Sequence, residues 1–358
     1  MWKGTPVVFA VGREYQIMLP AECECIMKVE VGGRVYYDAS NGVMRSRCLV
    51  HKVTVPMETL DSAGAYRVCL QRVVDRKHKF AEMGKCESRE FAFFPVRGEN
   101  VRCYHIADNH GLVQEAINAA AAYGKIDFLI LNGDLANNFS EEAAVWKVYE
   151  LASAITAGNI PVVMVRGNHG ARGKYAESYA DYFPTDRGST YFTFRLGNIW
   201  GLALDCGEDK EDGHPEYTGL VCCHEFRLQE TEFIKKVISD AQTEYEAADV
   251  VHKLVVCHVP FTTYGEGIFD IERDVYGEWV RLLREYVKPE MILSGHEHVW
   301  EVYEAGSVKD SYGQPCPTLV GSQLKKTEDG SCFAGAGLEF APDGIKATFT
   351  DCNGNIRP

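Results

Sequence analysis

Five short segments of this chain carry side chains of the types that ligate metal ions. They are Asp108-Asn109-His110, Gly133-Asp134, Gly167-Asn168-His169, His258 and Gly295-His296-Glu297-His298. Each follows an apolar run, and together they supply two aspartates, an asparagine and several histidines. Carboxylate and amide oxygens are hard ligands and imidazole is borderline, so the set suits two divalent ions held side by side. Such a pair suits attack of a metal-bound hydroxide on a phosphate ester.

Each segment has a physical reason to serve and an ordinary alternative. Asp108 and His110 stand two apart at a strand end, which puts both side chains on one side of extended chain. A strand-end turn would look the same. Asp134 carries two oxygens and can bridge ions about 3.5–4 Å apart, yet Gly-Asp is also a common turn dipeptide. Asn168 offers a neutral oxygen. His169 beside it is free to face substrate and to stabilise or protonate a leaving group. A lone histidine such as His258 is more often packed than ligating. His296 and His298, at i and i+2, point the same way, with Glu297 facing elsewhere. The weight lies in the conjunction: all five occur in order, each after an apolar strand. In open α/β sheets, ligands gather at the carboxyl ends of the strands.

The elements that must hold these residues fall into two blocks. Residues 1–98 read as an all-β sandwich. Short Val-, Tyr- and Phe-rich runs such as Val7–Val11, Glu14–Leu19, Leu49–Val55 and Tyr66–Val74 alternate with turn signals such as Gly32-Gly33 and Asn41-Gly42. Leu60–Val68 resembles the tyrosine-bearing corner of a fibronectin-III module. Residues 99–358 alternate strand and helix, which predicts an α/β domain with parallel strands. Strands are expected at Val101–Ala107, Asp127–Leu131, Ile160–Val165, Leu254–Cys257 and Met291–Leu293. Helices are expected over Leu112–Tyr123, Glu141–Ala157, Glu225–Ala247 and Gly277–Tyr286.

The order D-x-H, G-D, G-N-H, H, G-H-x-H resembles that of the calcineurin-like metallophosphoesterases, over about the last 250 residues. The preceding β block resembles the N-terminal sandwich of purple acid phosphatases. The resemblance implies a β-sandwich flanked by helices and a metal-dependent phosphoric ester hydrolase. It places Asp108, His110 and His298 on one ion and Asn168, His258 and His296 on the other. Asp134 bridges, and His169 stands by the leaving group. The cofactors implied are two divalent ions, with manganese, iron or zinc all compatible. Hydrolysis of a monoester or diester by a metal-bridging hydroxide is the expected reaction. A non-catalytic adaptor on the same fold, and a nuclease or cyclic-nucleotide phosphodiesterase of the same superfamily, are the alternatives. The filled ligand set argues against the adaptor.

Two departures from the pattern matter. Asn137 occupies the place where purple acid phosphatases carry an iron-binding tyrosine, and His110 is absent from their first motif, so the ferric chromophore is not expected. Gly170 stands where an acid usually orients the preceding histidine. Asp205, Asp209 and Asp212, on the loop after Ile199–Leu204, are the candidate substitutes, with Asp205 favoured over Asp212, and Asp205 and Arg172 are candidate substrate contacts. His214 is the one further histidine expected near the site. His51, His78, His105, His224 and His252 fit no spacing pattern and read as structural or surface residues.

Bulk properties narrow the partners. A net charge of -14 opposes binding to nucleic acid or an anionic membrane and leaves a small phosphate ester as the substrate. The 13 cysteines are scattered without C-x-x-C spacing, which fits reduced thiols in a cytoplasmic protein. No segment approaches the ~20 apolar residues of a membrane-spanning helix.

Overall fold

The structure is a computed structural model that describes residues 1–327 and 330–357. Two sheets face each other and carry helices on their outer faces. The larger sheet has ten strands. At its centre Val101–Ile106, Phe128–Asn132 and Pro161–Val165 run parallel in register. Phe128–Asn132 and Pro161–Val165 are buried along their length and Val101–Ile106 everywhere but the half-buried Arg102, as strands covered on both faces must be. The second sheet sets Ile199–Leu204, His252–Cys257, Met291–Ser294 and Thr318–Gly321 parallel.

One core lies between the sheets, where Ile130, Val163 and Val165 meet Ala203, Val256 and Leu293. A second lies under the helices Val113–Tyr123 and Glu142–Thr156, whose Ala119, Val145 and Val148 pack on Phe9, Leu129 and Val162. A third lies under Cys223–Ser239 and Arg273–Leu282, with Trp279 and Ile234 against Leu202, Val255 and Ile292. The long helix stops at Ser239, earlier than expected. The residues after it, through Val250, form successive turns.

The first 98 residues contribute strands to two antiparallel layers, one of them continuous with the large sheet. Val7–Val11, Glu14–Pro20 and Val50–Pro56 make one antiparallel layer. Arg34–Tyr37, Cys25–Val31, Ala65–Arg76 and Ala81–Ala92 make the other. The correction concerns the boundary. Val7–Val11 also pairs in parallel with Pro161–Val165, so the first layer continues the large sheet edge to edge. Main-chain hydrogen bonding between segments far apart in sequence leaves no mark on local pattern. Tyr66, read as a corner tyrosine, instead donates its hydroxyl to the Gly158 carbonyl at 2.8 Å, in the turn before Pro161–Val165. A short helix at Met57–Ala63 was also not expected. Pro56 precedes it, and Gly64 closes it with a left-handed φ of 63°.

Candidate metal centre

All five segments lie at the carboxyl ends of parallel strands, where the two sheets come together. Asp108, Asp134 and Asn168 come from the large sheet; His258, His296 and His298 come from the second. The ligand-bearing turns are tight. Asp108, His110, Asp134, His296 and His298 all have φ between 44° and 68°, a region that non-glycine residues seldom adopt. Backbone strain of this kind persists where the surrounding structure imposes it, and it clusters at functional sites. Gly133, at φ +80°, leaves room for the approach: a Cβ there would lie 2.5 Å from His258 Nδ1.

Two groups of side chains converge, Asp108 with His110 and His298, and Asp134 with His258 and His296. His298 Nε2 lies 3.3 Å from Asp108 Oδ1. His110 Nε2 lies 3.2 Å from His298 Nε2. His258 Nε2 lies between the groups, 3.5 Å from Asp108 Oδ1 and 3.2 Å from Asp134 Oδ2. The Asn168 carboxamide oxygen faces Asp134 Oδ2 at 3.1 Å and His296 Nδ1 at 3.3 Å. Either that amide turns over and donates to both, or a cation sits among the three acceptors.

The charge and hydrogen-bond inventory fits the cation. Asp108 and Asp134 are buried, and among the described residues no lysine or arginine pairs with either. Asp108 Oδ1 and His258 Nε2 are buried with no hydrogen-bond partner. Buried carboxylates without a countercharge are costly, and divalent ions would supply it. Without them the histidines carry the burden. Burial works against a charged His258, but Asp134 and Asp108 beside it outweigh burial and push its pKa up to about 10. Burial raises the Asp108 carboxyl, yet His258 and His298 hold it below the usual range. Burial depresses His110, and burial with His258 depresses His296, leaving neutral imidazoles of the kind a metal takes.

Neighbouring groups set the tautomers, and sequence reasoning assigned them no such role. The Asn132 carbonyl accepts from His258 Nδ1 at 2.6 Å, which aims Nε2 inward. Asn137 Oδ1 accepts from His110 Nδ1 at 3.0 Å, and its carbonyl accepts from His169 Nδ1 at 2.7 Å. Ser322 donates to Asp108 Oδ2. Asp209 Oδ2 stands 3.9 Å from His296 Nε2. Asn132 is the residue before Gly133-Asp134 and Asn137 three after it, so only their nearness to the motif hinted at them.

The expected second tier is rearranged. Asp205 does not reach the site: it is fully buried and binds Arg166 Nε at 2.6 Å. It contacts neither His169 nor any space open to substrate, which corrects its expected role. His169, without an acid at Gly170, is held by the Asn137 carbonyl and accepts from Arg172 Nη1 at 3.0 Å on Nε2. Asp134 Oδ2 stands 3.6 Å from the same Nε2. Arg172 does reach the site, forked on the buried Glu208 at 2.7 and 2.8 Å. His214 stays away and accepts from the Glu216 amide.

The calcineurin-like phosphoesterase family matches residues 101–300, more than half of the chain. A purple acid phosphatase from yellow lupin (Lupinus luteus) seeds has a similar structure. It shows a TM-score of 0.59 and 14% identity, covering 99% of this chain and 73% of that one. The structure of PhoD is similar at a TM-score of 0.55 and 10% identity, covering 96% and 91% of the two chains. At such identities the likeness concerns the fold. No curated protein matches the chain in sequence. The chain belongs to the calcineurin-like phosphoesterase family and is a metal-dependent phosphoric ester hydrolase.

Proposed function

We propose that the chain hydrolyses a small phosphate ester at a centre of two divalent ions. Asp108, His110 and His298 hold one, Asn168, His258 and His296 hold the other, and Asp134 bridges. The observation that carries this reading is the convergence of acceptors around two buried carboxylates that, among the described residues, no lysine or arginine pairs with. Bound there, the ions supply Lewis-acid polarisation of the phosphoryl group and activate water near neutral pH.

The chain's own residues do the rest. Arg172, standing beside His169, faces the charge that builds on the phosphoryl oxygens and is held rigid by Glu208. His169, fixed through Nδ1 by the Asn137 carbonyl, stands beside Arg172 and stabilises or protonates the leaving oxygen. The cleft beside His296 is lined by Val259, Pro260, Phe269 and Tyr276, with Asp209 and Glu297 also on its wall. Apolar walls with carboxylates favour an organic ester group and disfavour a further phosphate on the substrate.

The test is a panel of aryl, alkyl and nucleotide mono- and diesters, with protein loaded with manganese, iron or zinc. Turnover of small esters that vanishes with chelation and in Asp134→Asn supports the reading. Full turnover in metal-free protein overturns it, and turnover confined to nucleic acid or cyclic nucleotides replaces it with the other members of the superfamily.

A further inference from the structure

The sandwich holds a cluster that the phosphoesterase centre does not use. His51 points into the space between the two layers, fully buried, from the strand Val50–Pro56. Its Nδ1 lies 2.6 Å from Asp38 Oδ2. Its Nε2 lies 3.3 Å from Cys25 Sγ, on the facing layer, and Cys48 Sγ stands 3.4 Å from Nδ1 and 3.8 Å from Nε2. Asp38, Cys48 and His51 gather closely enough to share an ion. None of these residues touches a ligand of the phosphoesterase centre.

We propose that Cys25, Cys48 and His51 bind one zinc-type ion through two thiolates and His51 Nε2, with Asp38 orienting the imidazole. Zinc lies about 2.0 Å from imidazole nitrogen and about 2.3 Å from thiolate sulfur, so a tetrahedral site sets nitrogen and sulfur about 3.5 Å apart. The Cys25 separation is close to that value, and Cys48 would reach it by turning its Sγ from the Nδ1 side toward Nε2. The carboxylate on the far nitrogen is the partner that metal-bound histidines ordinarily have. Arg45 Nη1, 3.4 Å from Asp38 Oδ1, balances that carboxylate. Two thiolates balance a divalent ion, so the site as a whole is neutral.

Thiolate pairs with imidazole select zinc over the harder ions. Binding displaces two thiol protons to solvent. Cys23, half-buried and two residues before Cys25, or a water completes four ligands. A nucleophilic cysteine triad is the other chemistry such a line of groups offers, and the full burial of Cys25 denies it a substrate. The ion would staple the two layers at one end. The Cys48-Leu49-Val50-His51 spacing is local, but Cys25 joins it only through the fold.

The probe is cobalt(II), titrated into the reduced, metal-free full chain. The phosphoesterase ligands include no cysteine, so a thiolate-to-cobalt charge-transfer band is independent of phosphoesterase activity, and variants of Cys48 and His51 assign it to this site among the chain's cysteines. The band at saturation should correspond to one cobalt per chain at this site, zinc should abolish it, and Cys48→Ser and His51→Asn should each remove it. Asp38→Asn should weaken the binding that generates the band by about 10–100-fold. Circular dichroism of each variant establishes that it is folded. If folded wild-type protein takes up cobalt without the band, or the band survives in both Cys48→Ser and His51→Asn, the assignment is overturned.

Discussion

Asn137 holds two histidines with two different atoms, and one substitution separates them. Asn137→Ala removes the side-chain oxygen that accepts from His110 Nδ1 at 3.0 Å but keeps the carbonyl that accepts from His169 Nδ1 at 2.7 Å. The lost bond orients a proposed ligand. Partners of that kind are worth about 10–100-fold in metal affinity, or about 1.4–2.8 kcal/mol. Asn137 is exposed, so water can take the place of its amide. The expected loss is therefore near the lower limit, about tenfold. The assay is ester turnover against free manganese. The half-saturating concentration should rise about tenfold while kcat at saturating metal stays within about threefold, because His169 keeps its partner. Asn137→Asp, which restores an acceptor, should return the midpoint to the wild-type value. An unmoved midpoint with a lowered kcat would refute this reasoning and place Asn137 in the chemical step.

Three further outcomes follow from the same geometry. Asp205→Asn strips the charge partner from Arg166, so it should cost up to ~3 kcal/mol of stability and lower Tm by on the order of 5 °C. Turnover per folded molecule should be kept; an unchanged Tm with lost turnover would restore the catalytic role first expected of Asp205. Arg172→Lys keeps the charge but not the fork on Glu208 or the contact with His169. Losing one charge-assisted hydrogen bond of ~1.5 kcal/mol should reduce kcat/KM about tenfold, and an unaffected kcat/KM would remove Arg172 from substrate recognition. In metal-free protein His258 titrates at about 10, above its ordinary 6.5. A raised folded-state pKa stabilises fully below the unfolded value and is lost on rising through the folded one. Chelated protein should therefore lose stability between pH 6.5 and 10, and metal-loaded protein should lack this fall. Parallel thermal melts would show it; identical pH profiles would contradict it.

The strands that carry the site were legible because each is an apolar run ending in a polar turn. Phe128–Asn132 and Pro161–Val165, buried throughout, admit no other reading between their flanking turns. The expected seven ligands were legible for a related reason: their chemistry is written in residue type, and their segments keep strand-end positions in order. What surrounds them was not. Asp205 and Glu208 stand three apart on one loop and look equivalent in sequence. One is drawn into an ion pair with Arg166, and the other clamps Arg172 at the site.

The amino-acid sequence by itself determined the α/β class, the family motifs and the inventory of candidate ligands, because period, turn residues and side-chain type are local properties. Only the tertiary structure decided that the sandwich shares a sheet with the catalytic half, because Val8 and Phe9 find Pro161 and Val162 across some 150 residues of chain. It also decided that the Asn137 carbonyl holds His169 Nδ1, and that Cys25 meets His51. These are contacts between side chains or strands that neither helical nor strand periodicity relates. Long-range packing and hydrogen bonding select them after the elements exist.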